Sequence, residues 1–195
     1  MIALKQRDAE AGLAFHQTSE ARVYFDDEVQ KPRIQRSREA LQKSLGALKN
    51  CRIIELGCGT LDISGPFSVE HRVCGVECNL EAGRIACERW PGAILNNISL
   101  QPESCEALVL CEFLEHVADP FSIVRDWLPL AKTCVISHPL NGDLTDDLSG
   151  GEHQWSFDES DFANWFSLGG HRLIEHEVFK MGGYQIILGR GERVL

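Results

Sequence analysis

The chain has 195 residues, 44% of them hydrophobic and 25% charged, enough for one α/β domain with its own core and little more. A formal net charge of -10 disfavours nucleic acid as a partner, because that binding rests on Lys and Arg neutralising phosphates. No run of about 18 apolar residues occurs, so no membrane-spanning helix is expected. Met1 to Asp8 lack the apolar stretch of a secretory signal, which points to the cytoplasm.

Residues 1–50 read as an N-terminal helical cover. Pro32 suits the first turn of a helix. Ile34, Leu41, Leu45 and Leu48 follow as an apolar stripe, with Asn50 ending the element. Within it, Lys31–Arg38 is basic and spreads over more than one helix face, as a solvated surface does. From 51 on, the pattern becomes an α/β core. Cys51–Leu56 is a short apolar run ending at a glycine turn and reads as a buried parallel strand. His71–Glu77 is a second strand, Leu80–Arg89 a helix stopped by Pro91-Gly92, and Ala93–Ile98 a third strand. Ala107–Cys111 is a fourth strand, Pro120–Leu130 a helix, and Lys132–Ser137 a fifth strand. Asp158–Phe166 is a short helix capped by Ser156 or Asp158. His171–Phe179 and Tyr184–Leu188 flank Lys180-Met181-Gly182-Gly183, a hairpin signal. Alternating strands and helices imply a Rossmann-like, doubly wound, mostly parallel seven-stranded sheet, closed by the C-terminal antiparallel hairpin. The whole forms a single domain.

Eight cysteines raise the questions of disulfides and metal. Nothing indicates an oxidising compartment. Cys74 and Cys78 have no second pair to complete a zinc set, so no metal is expected. Cys51, Cys58, Cys74, Cys111 and Cys134 fall in or beside the strands, where a thiol packs as a small apolar group. His71, His171 and His176 lie in peripheral strands and read as structural.

Ligands of open α/β sheets bind beyond the carboxyl ends of the strands. Glu55-Leu56-Gly57-Cys58-Gly59-Thr60 lies at such an end, and its glycines let backbone approach a ligand. Glu77 ends the next strand, where a carboxylate accepts hydrogen bonds from both hydroxyls of a ribose. Strand, glycine pair, second strand and terminal acid together indicate an adenosine-containing cofactor. A dinucleotide site wants a third glycine; Asp62 stands at that count and opposes a pyrophosphate. Glu55 offsets positive charge instead. The pattern favours S-adenosylmethionine, whose sulfonium and ammonium are cationic, over NAD, FAD or ATP.

On these residues, over roughly 50–190, the sequence resembles the class I S-adenosylmethionine-dependent methyltransferases, especially their small-molecule branch. Glu55 to Thr60 resembles the first motif and Val76-Glu77 the second. One of Asn96 and Asn97 matches the position near the adenine. Ala107 to Val117 resembles the fourth-strand motif with its Leu-Glu-His turn, and Val135 to Pro139 the fifth strand and its exit. The resemblance implies a cofactor site of Glu55, Gly57, Cys58, Gly59, Glu77, Cys78, Asn96 or Asn97, Cys111 and Glu112, with S-adenosylhomocysteine as the product. The chain departs from the pattern in four places. Leu61 replaces a glycine, Asn an acid on strand three and Ala107 an acid on strand four, and Gly65-Pro66 interrupts the helix after the first motif.

The acceptor side is expected at the strand ends and the loops over them. His138, following strand five, and His153 are the candidate general bases, since imidazole titrates in the right range. His16, Tyr24, His116 and Trp155 are candidate substrate contacts, with a lid hinged on Gly150-Gly151. Each has a structural alternative: a hydrogen-bonded loop histidine, a turn residue or a packed aromatic. No Asn/Asp-Pro-Pro-Tyr element is present, which disfavours DNA adenine or protein amide as acceptor, and the resemblance to the small-molecule branch implies a small molecule. The function expected is methyl transfer to that acceptor. The alternatives are a non-catalytic binding module on the same fold and an NAD-dependent enzyme. A homodimer is compatible with all of these.

Overall fold

A computed structural model describes residues 28–96, 101–140 and 153–194. Seven strands form one sheet in the order β3-β2-β1-β4-β5-β7-β6. They are β1 (Arg52–Leu56), β2 (Arg72–Val76), β3 (Ile94–Asn96), β4 (Cys105–Cys111), β5 (Ala131–Leu140), β6 (His171–Met181) and β7 (Tyr184–Arg193). The first five pair in parallel, and β7 runs antiparallel to both β5 and β6. The helices among the described residues are α1 (Lys31–Leu45), α2 (Leu80–Arg89), α3 (Pro120–Trp127) and α4 (Glu159–Leu168). This is the mostly parallel seven-stranded sheet with a closing hairpin that the sequence led us to expect. None of these helices is long and apolar enough to cross a membrane.

Successive side chains of a strand point to opposite faces, and this divides the core in two. Ile54, Leu56, Leu108, Leu110 and Ile136 pack on one face with Val124 and Trp127 of α3 and Phe162, Trp165 and Phe166 of α4. Ile53, Val73, Val109 and Val135 pack on the other with Leu41 and Leu45 of α1 and Ala86 of α2. Cys51, Cys58, Cys74, Cys105, Cys111 and Cys134 are buried as free thiols.

Element ends differ from expectation for local reasons. Helix α1 stops at Gly46, whose φ of 56° breaks the helix, and Leu48 is exposed beyond it. No α-helix follows β1; its place is taken by a 3-10 turn, Gly65–Val69. Strand β5 continues through His138 and Pro139 to Leu140 instead of ending at Ser137. Its last β4 partner is Cys111 at Ser137, so Pro139 lies beyond the β4 pairing, between it and the single bridge of Leu140 to Phe157. Proline is tolerated where a strand has a free side. Helix α4 opens on a capping box: Asp158 accepts from the Ser160 and Asp161 amides, and Asp161 accepts from the Asp158 amide.

Strand β1 lies between β2 and β4, so the chain leaves it once toward each edge of the sheet. The carboxyl ends of β1 and β4 therefore flank the topological switch point, where α/β sheets open a crevice.

Candidate functional site

The turn after β1 is tied to β2. The Gly57 and Cys58 amides both donate to the Val76 carbonyl, at 2.9 and 3.1 Å. Gly57 and Gly59 have φ of 65° and 52°, the left-handed region that glycine enters without penalty. Glu77 closes the arrangement: one carboxylate oxygen accepts from the Gly59 amide and the other from the Asn79 amide, each at 2.7 Å. Its own amide donates to Asn96 O. The carboxylate is thus fixed at the crevice, half-buried, with lone pairs left for a further donor.

Two positions behave differently from the simple reading. A Cβ on Gly57 would run into the Phe113 ring, so this glycine makes room for a side chain from the loop after β4. Leu61, at the position where a glycine is usual, keeps the left-handed backbone at φ 59°. Its fully buried side chain is pressed against β2, where a Cβ on Gly75 would stand 2.8 Å from Leu61 Cδ1 and 2.7 Å from Cys58 Sγ.

Buried acids line the crevice. Glu55 is 3% exposed and accepts from the Ser64 amide at 2.9 Å, so it braces the loop it begins. Burial pushes its carboxyl up to about 7. Glu112 follows β4 with φ 51° and accepts from Ser137 Oγ at 2.9 Å; burial raises its pKa as well. Arg33 of α1 faces Glu55, Glu112 and Glu115 and opposes these rises. The basic stretch of α1 is therefore not a free solvated face. Arg33 serves the acids, Arg36 pairs with Glu177 and lies 4.8 Å from the Phe179 ring centre, and Arg38 donates to the Asp62 carbonyl at 2.6 Å.

The loop after β4 turns through a 3-10 segment, Leu114–His116. Glu115 there is 1% exposed. Burial and the neighbouring Glu112 charge raise its pKa well above the usual carboxylate range. The segment entering α4 docks on this turn: the Gln154 and Trp155 amides donate to the Glu115 carbonyl at 2.7 and 3.2 Å. Gln154 Nε2 donates to His116 O at 2.9 Å, and Trp155 Nε1 to Val117 O at 2.7 Å. The His116 and His153 rings meet edge-on, centroids 4.8 Å apart.

The structure brings together Glu55, Gly57, Cys58, Gly59 and Glu77 around the ends of β1 and β2, and Glu112, His116, His153 and Trp155 around the end of β4. His138 is elsewhere. It lies inside β5, fully buried between the Phe157 and Phe162 rings, with Nδ1 bonded to Pro139 O. The alternation of the strand turns it away from Ser137 into the aromatic core, and burial lowers its pKa to about 4. Its expected place at the rim of the site is thereby corrected. Asn96 donates its amide to Cys74 Sγ at 3.1 Å. Cys111 bonds Ser37 Oγ at 3.6 Å, and burial holds the Cys78 and Cys111 thiols up at about 12. His16, Tyr24, Asn97 and Gly150-Gly151 lie outside the described residues. Sequence reasoning missed Phe113, Ser137 and Gln154 as site residues. The pair Glu112 and Glu115, three residues apart on one turn, was the available signal for the second acid.

No protein-family profile matches the chain, and no curated protein matches it. Solved structures do. Magnesium protoporphyrin IX methyltransferase (ChlM) from Synechocystis PCC 6803, solved with bound S-adenosylhomocysteine, superimposes with a TM-score of 0.77 at 14% identity, over 96% of this chain and all of that one. Its form with bound S-adenosylmethionine gives 0.73 over the whole of both chains. A SAM-dependent methyltransferase from Methanosarcina mazei gives 0.59 at 18% identity, covering 75% of this chain and 94% of that one. The [4+2]-cyclase SpnF gives 0.66 at 10% identity, covering 82% and 80%. The chain has the class I S-adenosylmethionine-dependent methyltransferase fold.

Proposed function

We propose that this chain binds S-adenosylmethionine at the carboxyl ends of β1, β2 and β4 and transfers its methyl group to a small-molecule acceptor. The observation that carries the reading is Glu77, whose carboxylate is pinned by the Gly59 and Asn79 amides while keeping lone pairs for a ribose diol. The crevice also suits a cationic ligand better than a phosphate. Glu55, buried, and Glu112, half-buried, place carboxyl groups near it whose raised pKa a cation would lower. The connection after β1 holds a 3-10 turn instead of the helix N-terminus on which dinucleotide folds seat a pyrophosphate. Asp62 has a structural use of its own, accepting from Thr60 Oγ1 at 2.6 Å and pairing with Arg89.

When bound, the cofactor supplies a sulfonium-activated methyl group, which an acceptor takes by in-line displacement. The chain's part is to position and to exclude water. Glu77 fixes the nucleoside. Phe113, half-buried over Gly57, and Trp155 give the crevice apolar walls. The turn at His116 and the docked segment from His153 present polar groups on the acceptor side. ChlM, named for a porphyrin acceptor, supports a small molecule in that place.

Glu77→Ala tests the assignment. Loss of a charged hydrogen-bond partner should weaken S-adenosylmethionine binding by about 1–3 kcal/mol, read by calorimetric titration. Unchanged affinity in a folded variant would contradict the role given to Glu77.

A further inference from the structure

We infer that Glu115, His116 and His153 form a binding site for one divalent transition-type cation, of the Mn²⁺, Co²⁺ or Zn²⁺ class. The inference goes beyond methyl transfer and stands whether or not S-adenosylmethionine binds. One donor atom from each residue lies within 4.8 Å of the other two. Glu115 Oε1 and His116 Nε2 are 3.7 Å apart. That is too far for a hydrogen bond and close to the ~3.4 Å between two ligands of a tetrahedral centre with bonds of about 2.0–2.1 Å.

The second observation is Glu115 itself. It is 1% exposed, and neither of its carboxylate oxygens has a hydrogen-bond partner. An ionised carboxylate in that position lacks the pairing that burial demands. Protonation does not repair this, because the acid would then carry a hydroxyl in need of an acceptor. Arg33 faces the acids from α1 but bonds neither Glu115 oxygen; its Nε is taken by Gln30. A cation held by the carboxylate and the two imidazoles would give the Glu115 oxygens the partner they lack.

The scaffold around these side chains is built to hold them. Glu115 and His116 sit on a 3-10 turn closed by the His116 amide on Phe113 O at 3.0 Å. His153 is delivered by a segment anchored through the Gln154 and Trp155 amides and the Gln154 and Trp155 side chains. Gln154 is as buried as Glu115, at 1% exposure. Such supporting bonds are what orient ligands at metal centres. Two imidazoles and one carboxylate favour a borderline ion over Mg²⁺ or Ca²⁺, which prefer all-oxygen sets. Three protein ligands leave a position open, as catalytic sites do and closed structural sites do not. Such a position suits an oxygen or nitrogen of a small molecule.

The test uses the full chain, stripped with chelator and titrated with Co²⁺ and then Zn²⁺ without any cofactor. The inference predicts one Co²⁺ per chain by elemental analysis, a visible ligand-field band, and its displacement by Zn²⁺. His153→Ala and Glu115→Gln should each lower the Co²⁺ affinity at least tenfold, with circular dichroism confirming the fold. Should Glu115→Gln not fold, His153→Ala, on the half-buried side chain, decides. No stoichiometric Co²⁺ in the wild type, or affinity unchanged in His153→Ala, overturns the site. S-adenosylmethionine titrated into the same samples reads the other proposal separately, so either can fail alone.

Discussion

His138 sits on β5 with its ring between Phe157 and Phe162 and a pKa lowered by burial to about 4. In the unfolded chain an imidazole titrates near 6.5. Below that pH the unfolded state holds a proton that the folded state does not. Stability is therefore intact above about pH 6.5 and is lost as pH falls toward 4. The full loss is on the order of 3 kcal/mol. Denaturant titrations at pH 7 and 4.5 should show a smaller drop for His138→Phe than for the wild type; equal drops would contradict this account. Leu61 poses a contest of magnitudes. Its left-handed backbone costs roughly 1–2 kcal/mol in a residue with a Cβ, while removing a fully buried leucine costs about 2–5 kcal/mol. Leu61→Gly should therefore destabilise the fold, by about 1–3 kcal/mol net, and a stabilised variant would show that the cavity term was overestimated. The chemical types of Glu77, Gly57, Gly59 and Glu112 were legible at this scale. The facing direction of His138 was not, because Pro139 read as the end of the strand and hid the alternation that turns the imidazole inward.

Helix α4 and the segment before it couple the fold to the site. Asp158 caps three ways, through Ser160 N, Asp161 N and Ser160 Oγ. Asp158→Ala should cost about 1 kcal/mol, seen as a lower thermal midpoint; no change would mean the cap is redundant. Upstream, Gln154 clamps the docked segment to the Leu114–His116 turn. Gln154→Ala should speed hydrogen exchange at the Gln154 and Trp155 positions while sparing the strands, since local opening draws on few contacts. Unchanged protection there would place the anchoring elsewhere. The strands and the hairpin were readable from apolar runs and glycines. The docking of 153–155 was not, because it rests on backbone and amide bonds to a turn nearly forty residues earlier, and these leave no periodic trace.

Across the whole molecule, the order of strands decides what the sequence can do. Seating β1 between β2 and β4 sets the switch point beside β1, with the acid after β2 and the acids after β4 at the same ends of their strands. The fold, and the glycine turn with Glu77 beside it, were therefore visible in one pass along the chain. The surroundings of the Leu114–His116 turn were not, since they are assembled from that turn, a docked segment and a helix arginine that only three-dimensional packing brings together. Calorimetric titration of the wild-type chain with S-adenosylmethionine, against S-adenosylhomocysteine and NAD, tests the central claim most directly. The account predicts saturable one-site binding of the first two and none of NAD; absence of S-adenosylmethionine binding, or preference for NAD, would contradict it.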